Sequence, residues 1–323
     1  MPLTIGNVLR NRYRISRVLY QSPLTNVYVV EDVHLRGNVW AVKEMKFLAM
    51  DSFERQKIIA QFEQEVMKMT ELAHPNYAKV IDFFVEGQNL YIIREFIPAY
   101  DVDTIMRKTT GMMRERDVVS WGIQLADVLN YLYNKKFPAI FFREFSLPNI
   151  LINSDGNVSI IDLGLARVFQ TDNDPGRNLN VGPIDYPCPE QFDENGVFDQ
   201  RTLVYSLGSV LYHMMTKKNP GQMMFKLTPI EELNPEVSKA FKVIIKKSTE
   251  IDPRLRYQTL HDMKRDLQSA LKSPEMKIVE PLEKPRKRQE KNSPANWNFL
   301  VAGAIMLLAA GIFYLIYKIF FTS

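Results

Sequence analysis

Over most of the first 95 residues, apolar and polar positions alternate in twos. The stretches NVYVVEDV, VWAVKEM, AKVIDFFV and LYIIREF have the period of half-buried β-strands. Between the second and third of them the period changes. Residues 52–72 read as a helix, with Phe62, Val66, Met69 and Leu72 on one face. Beyond Pro98 the helical period dominates and predicts helices over 103–108, 115–135, 200–216, 236–248 and 259–271. One β-rich insert, AIFFREFSLPNILINSDGNVSIIDLG, interrupts them, and its Asp155-Gly156 pair is a hairpin turn signal. The pattern predicts an α+β chain with a small strand-rich lobe, carrying one main helix, ahead of a larger helical lobe. No internal repeat is visible.

The pattern changes again near the C-terminus. Residues 272–296 hold four prolines and mixed charge, the composition of an extended linker. From Phe299 to Tyr317 there are 19 consecutive residues without a charge. As a helix that run spans roughly 28 Å, about the hydrocarbon thickness of a bilayer. Trp297, Tyr314 and Tyr317 suit its two interfaces, and Lys318 can reach the far headgroups. The expectation is a single membrane helix over 297–321. The basic stretch EKPRKRQEK before it predicts that the preceding residues face the cytoplasm. Because the N-terminal stretch has no apolar signal, the layout is that of a tail anchor. Gly303 and Gly311 stand two turns apart and would allow a homodimer through the membrane helix; ordinary Gly tolerance of membrane helices accounts for them as well.

Charge narrows the function classes. Residues 272–296 carry seven Lys/Arg against four Asp/Glu, and Lys318 adds one more cation. With a net charge of +4 overall, residues 1–271 are neutral, which is not the electrostatic footprint of a nucleic-acid binder. The single cysteine, Cys188, excludes an intrachain disulfide, and the four histidines have no ligand-like spacing.

Ordered landmarks within residues 10–271 carry a family resemblance. NRYRISRVL opens the chain like a first strand. WAVKEM resembles the third-strand V-A-I-K and gives Lys43. FEQEVMKMTELAHPN resembles the helix that supplies the lysine's partner and gives Glu65. YIIREFI resembles a lobe-connecting hinge, FREFSLPN stands in the place of H-R-D-L-K-P-x-N, and DLG in that of D-F-G. CPEQF resembles A-P-E, and IDPRLRY a late arginine motif in which Arg256 pairs with Glu190. The chain resembles the protein kinases, and among them the bacterial kinases of eukaryotic Ser/Thr type.

The resemblance implies a bilobal kinase-like domain over 1–271, with an N-lobe over 1–94, a hinge over 95–100 and a C-lobe over 101–271. It also implies ATP and Mg²⁺ as ligands. Lys43 would hold the α- and β-phosphates, steadied by Glu65. Val27, Ala41 and Leu151 would sandwich the adenine against the hinge residues Glu95 and Ile97, and Asn149 and Asp162 would bind the metal. Met69, Phe142 and Leu163 keep apolar character where the family stacks a column through both lobes.

The sequence departs from the family where phosphoryl transfer takes place. In YQSPLTNV, Tyr20, Ser22 and Thr25 replace the three glycines of the phosphate-covering loop, and Pro23 removes an N–H donor. Glu144 stands where the catalytic Asp belongs, with its carboxylate one methylene further out. Ser146 replaces the lysine that steadies the transferring phosphate, Pro183 a threonine, and Leu203 the aspartate beneath the catalytic loop. Arg143 keeps the place of a phosphate clamp, yet the segment 162–190 offers only Thr171 and Tyr186 as hydroxyl-bearing residues. Arg94 falls at the gatekeeper position, behind the adenine. There it is either buried and paired, with Glu65 and Asp162 as candidates, or exposed and one residue out of register.

Three functions follow from these residues. One is a membrane-anchored pseudokinase that still binds nucleotide and signals through a cytoplasmic protein partner. Another is a weakly active Ser/Thr kinase using Glu144. The third is a scaffold that binds no nucleotide.

Overall fold

The computed structural model describes residues 3–46, 52–135, 145–161, 186–193 and 196–273. The chain divides into two units, Met1–Lys277 and Ile278–Ser323, and every described residue lies in the first. The expected membrane helix over 297–321 lies outside the described residues; among those described, no helix is long and apolar enough to cross a membrane.

The N-terminal part is an antiparallel six-stranded sheet in the order β1-β2-β3-β4-β6-β5. Its strands are β1 (Val8–Leu9), β2 (Tyr13–Gln21), β3 (Thr25–Asp32), β4 (Val39–Lys46), β5 (Val80–Glu86) and β6 (Asn89–Glu95). One helix, α1 (Ser52–Thr70), packs on it. The alternation read from the sequence divides the two faces of this sheet. Met45, Leu90, Ile92 and Val80 meet Ile58, Phe62, Val66 and Met69 of α1. The opposite face carries Tyr13, Ile15, Tyr28, Val30, Val42, Phe84, Tyr91 and Ile93.

That opposite face also holds a buried carboxylate. Glu44 is 1% exposed and accepts hydrogen bonds from Asn26 Nδ2, Tyr28 Oη, Asn89 Nδ2 and Tyr91 Oη at 2.5–2.9 Å. Burial and the Glu44 contact push the Tyr28 hydroxyl up to about 12. Four neutral donors thus satisfy a charge that would otherwise be expensive to bury.

The C-terminal part has β7 (Tyr100–Asp101), β8 (Ile150–Ile152) and β9 (Val158–Ile160) in a small sheet, with helices beneath it. The helices are α2 (Val102–Lys108), α3 (Glu115–Asn134), α4 (Gln200–Thr216), α5 (Ile230–Leu233), α6 (Lys239–Ser248) and α7 (Leu260–Leu271). The two parts are tied by the loop after α1, where Tyr77 bridges Ile160 in parallel and Ile160 N–H donates to the Asn76 carbonyl at 2.8 Å.

Helix α6 starts at Lys239, not at 236 as its period predicts. The reason is tertiary. Glu115 at the head of α3 accepts from both the backbone N–H and the hydroxyl of Ser238, which fixes Ser238 as the cap, and Ser238 Oγ in turn accepts from Phe241 N–H. The close approach of α4 to α6 relies on Gly208, where a Cβ would stand 2.2 Å from Ser248 Oγ.

Candidate functional site

Strand register decides which side chains share a face. Val27 pairs with Lys43, and Lys43 with Ile92; one row away, Val29 pairs with Ala41, and Ala41 with Arg94. Val27, Ala41, Lys43 and Arg94 therefore lie on the face that also bears Ile92, toward α1. From the other part, Leu151 is the half-exposed centre of β8 between the buried Ile150 and Ile152, so it points away from the helical core. Val27 and Ala41 give the sheet face toward α1 an apolar row with a lysine at one end, which suits a flat, anionic ligand.

Asn149 closes a 3₁₀ turn over Leu147–Asn149, and its carbonyl accepts from the Ile161 N–H at 2.9 Å. That bond puts Asn149 beside the strand end that leads into position 162. Its amide oxygen suits a hard cation. Asp162 and Glu144 themselves lie outside the described residues, as do Phe142, Arg143, Leu163, Thr171 and Pro183.

Other expected residues are placed differently. Among the described residues, the ion-pair partner of Glu65 is Lys68, one turn along α1 at 3.0 Å, not Lys43. The second carboxylate oxygen of Glu65 is buried without a hydrogen-bond partner among the described residues. Glu95 is exposed, and together with Ile97 it lines an open cleft of about 600 Å³ shared with Pro75, Gln124 and Asn153. Val27, Ala41, Lys43 and Leu151 do not line that cleft. Arg94 is 5% exposed, which removes the reading that it lies one residue out of register on the surface.

The phosphate-covering loop is a tight hairpin closed on itself. Ser22 N–H and Ser22 Oγ both donate to the Thr25 carbonyl, and Thr25 N–H donates to Ser22 Oγ, all within 2.9 Å. Pro23 has no N–H. Of residues 22–25, only Leu24 retains an N–H outside these bonds, and its carbonyl is taken by Lys46 N–H at 2.8 Å. The sequence signalled the missing glycines but not this internal closure, which depends on the Ser22 hydroxyl.

Beneath the 3₁₀ turn, Leu203 is fully buried near the start of α4, in one cluster with Phe145, Leu147 and Tyr186. Ser146, between Phe145 and Leu147, is half-buried and too short to reach a phosphate as a lysine would.

The junction that follows the undescribed segment is anchored firmly. Glu190 and Arg256 form the expected ion pair, and the protein kinase domain family matches residues 25–273. The chain belongs to the protein kinase family. The match begins at Thr25, the last residue of the hairpin whose glycines are missing.

The chain is 27% identical over 279 residues to the serine/threonine-protein kinase PrkC of Bacillus subtilis, covering 83% of this chain and 42% of PrkC. It is 25% identical over 277 residues to the probable serine/threonine-protein kinase PknB of Lactococcus lactis, covering 82% and 43%. The chain thus spans less than half the length of these relatives. The kinase fold recurs in the solved PknI kinase domain of Mycobacterium tuberculosis, at TM-score 0.65 and 18% identity over 83% of this chain and 99% of that one. It recurs in PpkA-294 at TM-score 0.69 and 19% identity, over 82% and 99%.

Sequence reasoning on the kinase landmarks missed a contact between Tyr186 and His213. The Tyr186 hydroxyl lies 2.8 Å from His213 Nδ1, and burial lowers the imidazole to about 4. No spacing signal links a tyrosine beside the family's A-P-E position to a histidine inside α4; only the fold brings them together.

Proposed function

We propose that this chain is a membrane-anchored pseudokinase: a nucleotide-binding signalling module of the protein kinase family in which phosphoryl transfer is disabled. The observation that carries the proposal is Leu203. A fully buried leucine stands where the family uses an aspartate to hold the catalytic loop, and it is packed into the core. Leucine accepts no hydrogen bond, so the loop above it lacks that support. Ser146 removes a cation from the transferring phosphate, and the hairpin at 22–25 spends the N–H groups of Ser22 and Thr25 internally. Transfer of this kind depends on positioning and electrostatics, so these losses fall on the same step.

Nucleotide binding is supported by the shared face of Val27, Ala41 and Lys43 and by the half-exposed Leu151 on β8. ATP with Mg²⁺ would supply the phosphates and their charge neutralisation. Lys43 would hold the phosphates, and Asn149 would contribute an oxygen ligand to the metal, together with Asp162. Membrane anchoring is supported by the 19 uncharged residues from Phe299 to Tyr317 and their basic flank. A cytoplasmic protein partner would receive the signal, and contact between membrane helices at Gly303 and Gly311 would pair two copies.

A slow Ser/Thr kinase is the second reading. It is favoured by the retained Lys43, Glu65 and Asn149 and by relatives named as serine/threonine-protein kinases.

The test uses the full chain in detergent, with labelled ATP, Mg²⁺ or Mn²⁺ and a generic protein substrate, beside Glu144→Ala. The proposal expects no incorporation above the control. Nucleotide-induced thermal stabilisation should persist in Glu144→Ala and vanish in Lys43→Ala. Incorporation lost in Glu144→Ala makes the chain an enzyme instead.

A further inference from the structure

The open cleft beside Glu95 and Ile97 stands apart from the nucleotide face, since Val27, Ala41, Lys43 and Leu151 do not border it. Strand alternation explains the separation. Arg94 shares a row with Ala41, so Glu95, the last residue of β6, lies on the opposite face, where it pairs with Trp40. The β8–β9 turn and α3 supply the other wall, and hydrogen bonds fix it. Asn153 Oδ1 accepts from the N–H groups of Asp155 and Asn157. Gln124 donates to the Gly156 carbonyl and accepts from Val158 N–H and Asn76 Nδ2, at 2.9–3.0 Å. Asn76 Nδ2 also donates to the Val158 carbonyl at 2.7 Å.

The groups these bonds leave over define what the cleft can hold. Among the described residues, no hydrogen bond or ion pair uses the Glu95 carboxylate, the Asn157 amide or the Ser159 hydroxyl. Of the described residues lining the cleft, Glu95 alone is charged, and it is exposed. Arg17 stacks on the Phe96 ring at 5.6 Å without pairing to Glu95. A carboxylate backed by amide and hydroxyl oxygens suits a planar cation. A guanidinium brings five N–H groups and no acceptor, and it meets a carboxylate in paired bonds. Pockets for small molecules are mostly apolar and enclose most of the ligand. This cleft is open and its walls are rich in amides, so it suits a chain that passes through and is held along its backbone. The exposed Pro75 and Pro98 add apolar surface for that chain. We infer that the cleft is a docking site for an arginine-bearing, extended segment of a protein partner. The inference rests on the function proposed above and adds the chemistry of its partner; neither nucleotide nor metal enters.

The test is fluorescence anisotropy on the full chain in detergent, with labelled octapeptide pools. The central position is fixed as Arg, citrulline or Glu, and the others are randomised over uncharged residues. Citrulline keeps the shape of arginine without its charge. The Arg pool should bind about fivefold tighter than the citrulline pool, the upper range for a paired contact at an exposed carboxylate. The Glu pool should bind most weakly. In Glu95→Gln the Arg and citrulline pools should converge. Ser154→Cys reads the position. Ser154 is exposed on the same turn, and with Cys188 buried the new thiol is the one that alkylating reagents reach. The Arg pool should slow its alkylation, and free arginine amide at the same concentration should not. Equal affinity for the Arg and citrulline pools overturns the inference, as does a failure of every pool to bind. An Arg preference that survives Glu95→Gln, or alkylation at Ser154→Cys that the Arg pool leaves unchanged, overturns it too. Arginine amide protecting as well as the Arg pool would make this a site for a small cation and end the docking proposal. Phosphoryl transfer enters none of these readings, so failure here is distinct from failure of the pseudokinase proposal.

Discussion

Arg256 gives all five of its N–H groups to the protein around Glu190, a residue 66 positions earlier in the chain. Nη1 and Nη2 donate to the two Glu190 oxygens at 2.5 and 3.1 Å. The remaining donors reach the carbonyls of Glu250, Arg201 and Ile251. The guanidinium also stacks 4.7 Å from the Tyr205 ring. Arginine has five donors, so none is left over.

Removing one member of such a pair leaves the other charge buried and uncompensated. Arg256→Ala should lower unfolding stability by about 3–5 kcal/mol. The double variant Arg256→Met/Glu190→Leu should cost less than the sum of the two single changes. Urea denaturation of the wild type, Arg256→Ala, Arg256→Met, Glu190→Leu and the double variant measures both. Additive losses would mean that the pair does not act as a unit.

This pair was legible in the sequence because both residues sit in motifs of fixed order. The strands and α1 were legible because their burial follows a simple period; Phe62, Val66 and Met69 are all buried on α1 as the spacing predicted. What the sequence concealed was decided by residues far apart. The start of α6 depends on Glu115 reaching Ser238 across 123 positions. Glu65 meets Lys68 on its own helix, a choice that spacing alone leaves open between a local partner and Lys43. The burial of Arg94 followed from register, once β6 was paired with β4 and β5. The closing of residues 22–25 turned on the Ser22 hydroxyl, whose partner no pattern reveals.

If phosphoryl transfer is disabled as proposed, the burial of Leu203 makes that loss hard to reverse one residue at a time. Leu203→Asp would place a carboxylate in a cluster with Phe145, Leu147 and Tyr186, at a site with no exposure. The expected cost is about 3 kcal/mol or more. Phosphate transfer should stay at background, because Ser146 and the 22–25 hairpin are unchanged. Thermal denaturation and a transfer assay on the variant check the two halves. A stable Leu203→Asp protein with measurable transfer would show that this position alone had silenced the enzyme.

Gly208 should tolerate no side chain. A Cβ there meets Ser248 Oγ at 2.2 Å and Ser248 Cβ at 2.8 Å. Alanine is the better helix former by about 1 kcal/mol. Even so, Gly208→Ala should destabilise by about 1–3 kcal/mol through overpacking of α4 on α6. Adding Ser248→Gly should relieve part of the clash, giving a positive coupling in a double-mutant cycle. A stabilised Gly208→Ala would mean that the two helices part easily.

His213 links stability to acid. Burial lowers its imidazole from the ordinary 6.5 to about 4, against a small opposing pull from Asp103. In the unfolded chain the ring takes a proton as pH falls below 6.5, whereas in the fold it stays neutral until about pH 4. Stability is therefore lost between pH 6.5 and 4 and levels off below that. The full effect is about 3 kcal/mol. In denaturation curves measured from pH 7 to 4, His213→Gln should lose less stability than the wild type over this window. Parallel curves for the two proteins would refute the assignment.

The family's A-P-E position carries Cys188 in this chain, 1% exposed, with its sulfur 3.2 Å from the Ser206 hydroxyl. Burial pushes this thiol up to about 12. Alkylating reagents attack the thiolate and need a path to it, and the folded chain gives them neither at neutral pH. Because it is the chain's only thiol, modification can begin only after the ground around Glu190 and Arg256 has opened. The protein thus carries its own chemical clock for the rate at which the Glu190–Arg256 junction comes apart.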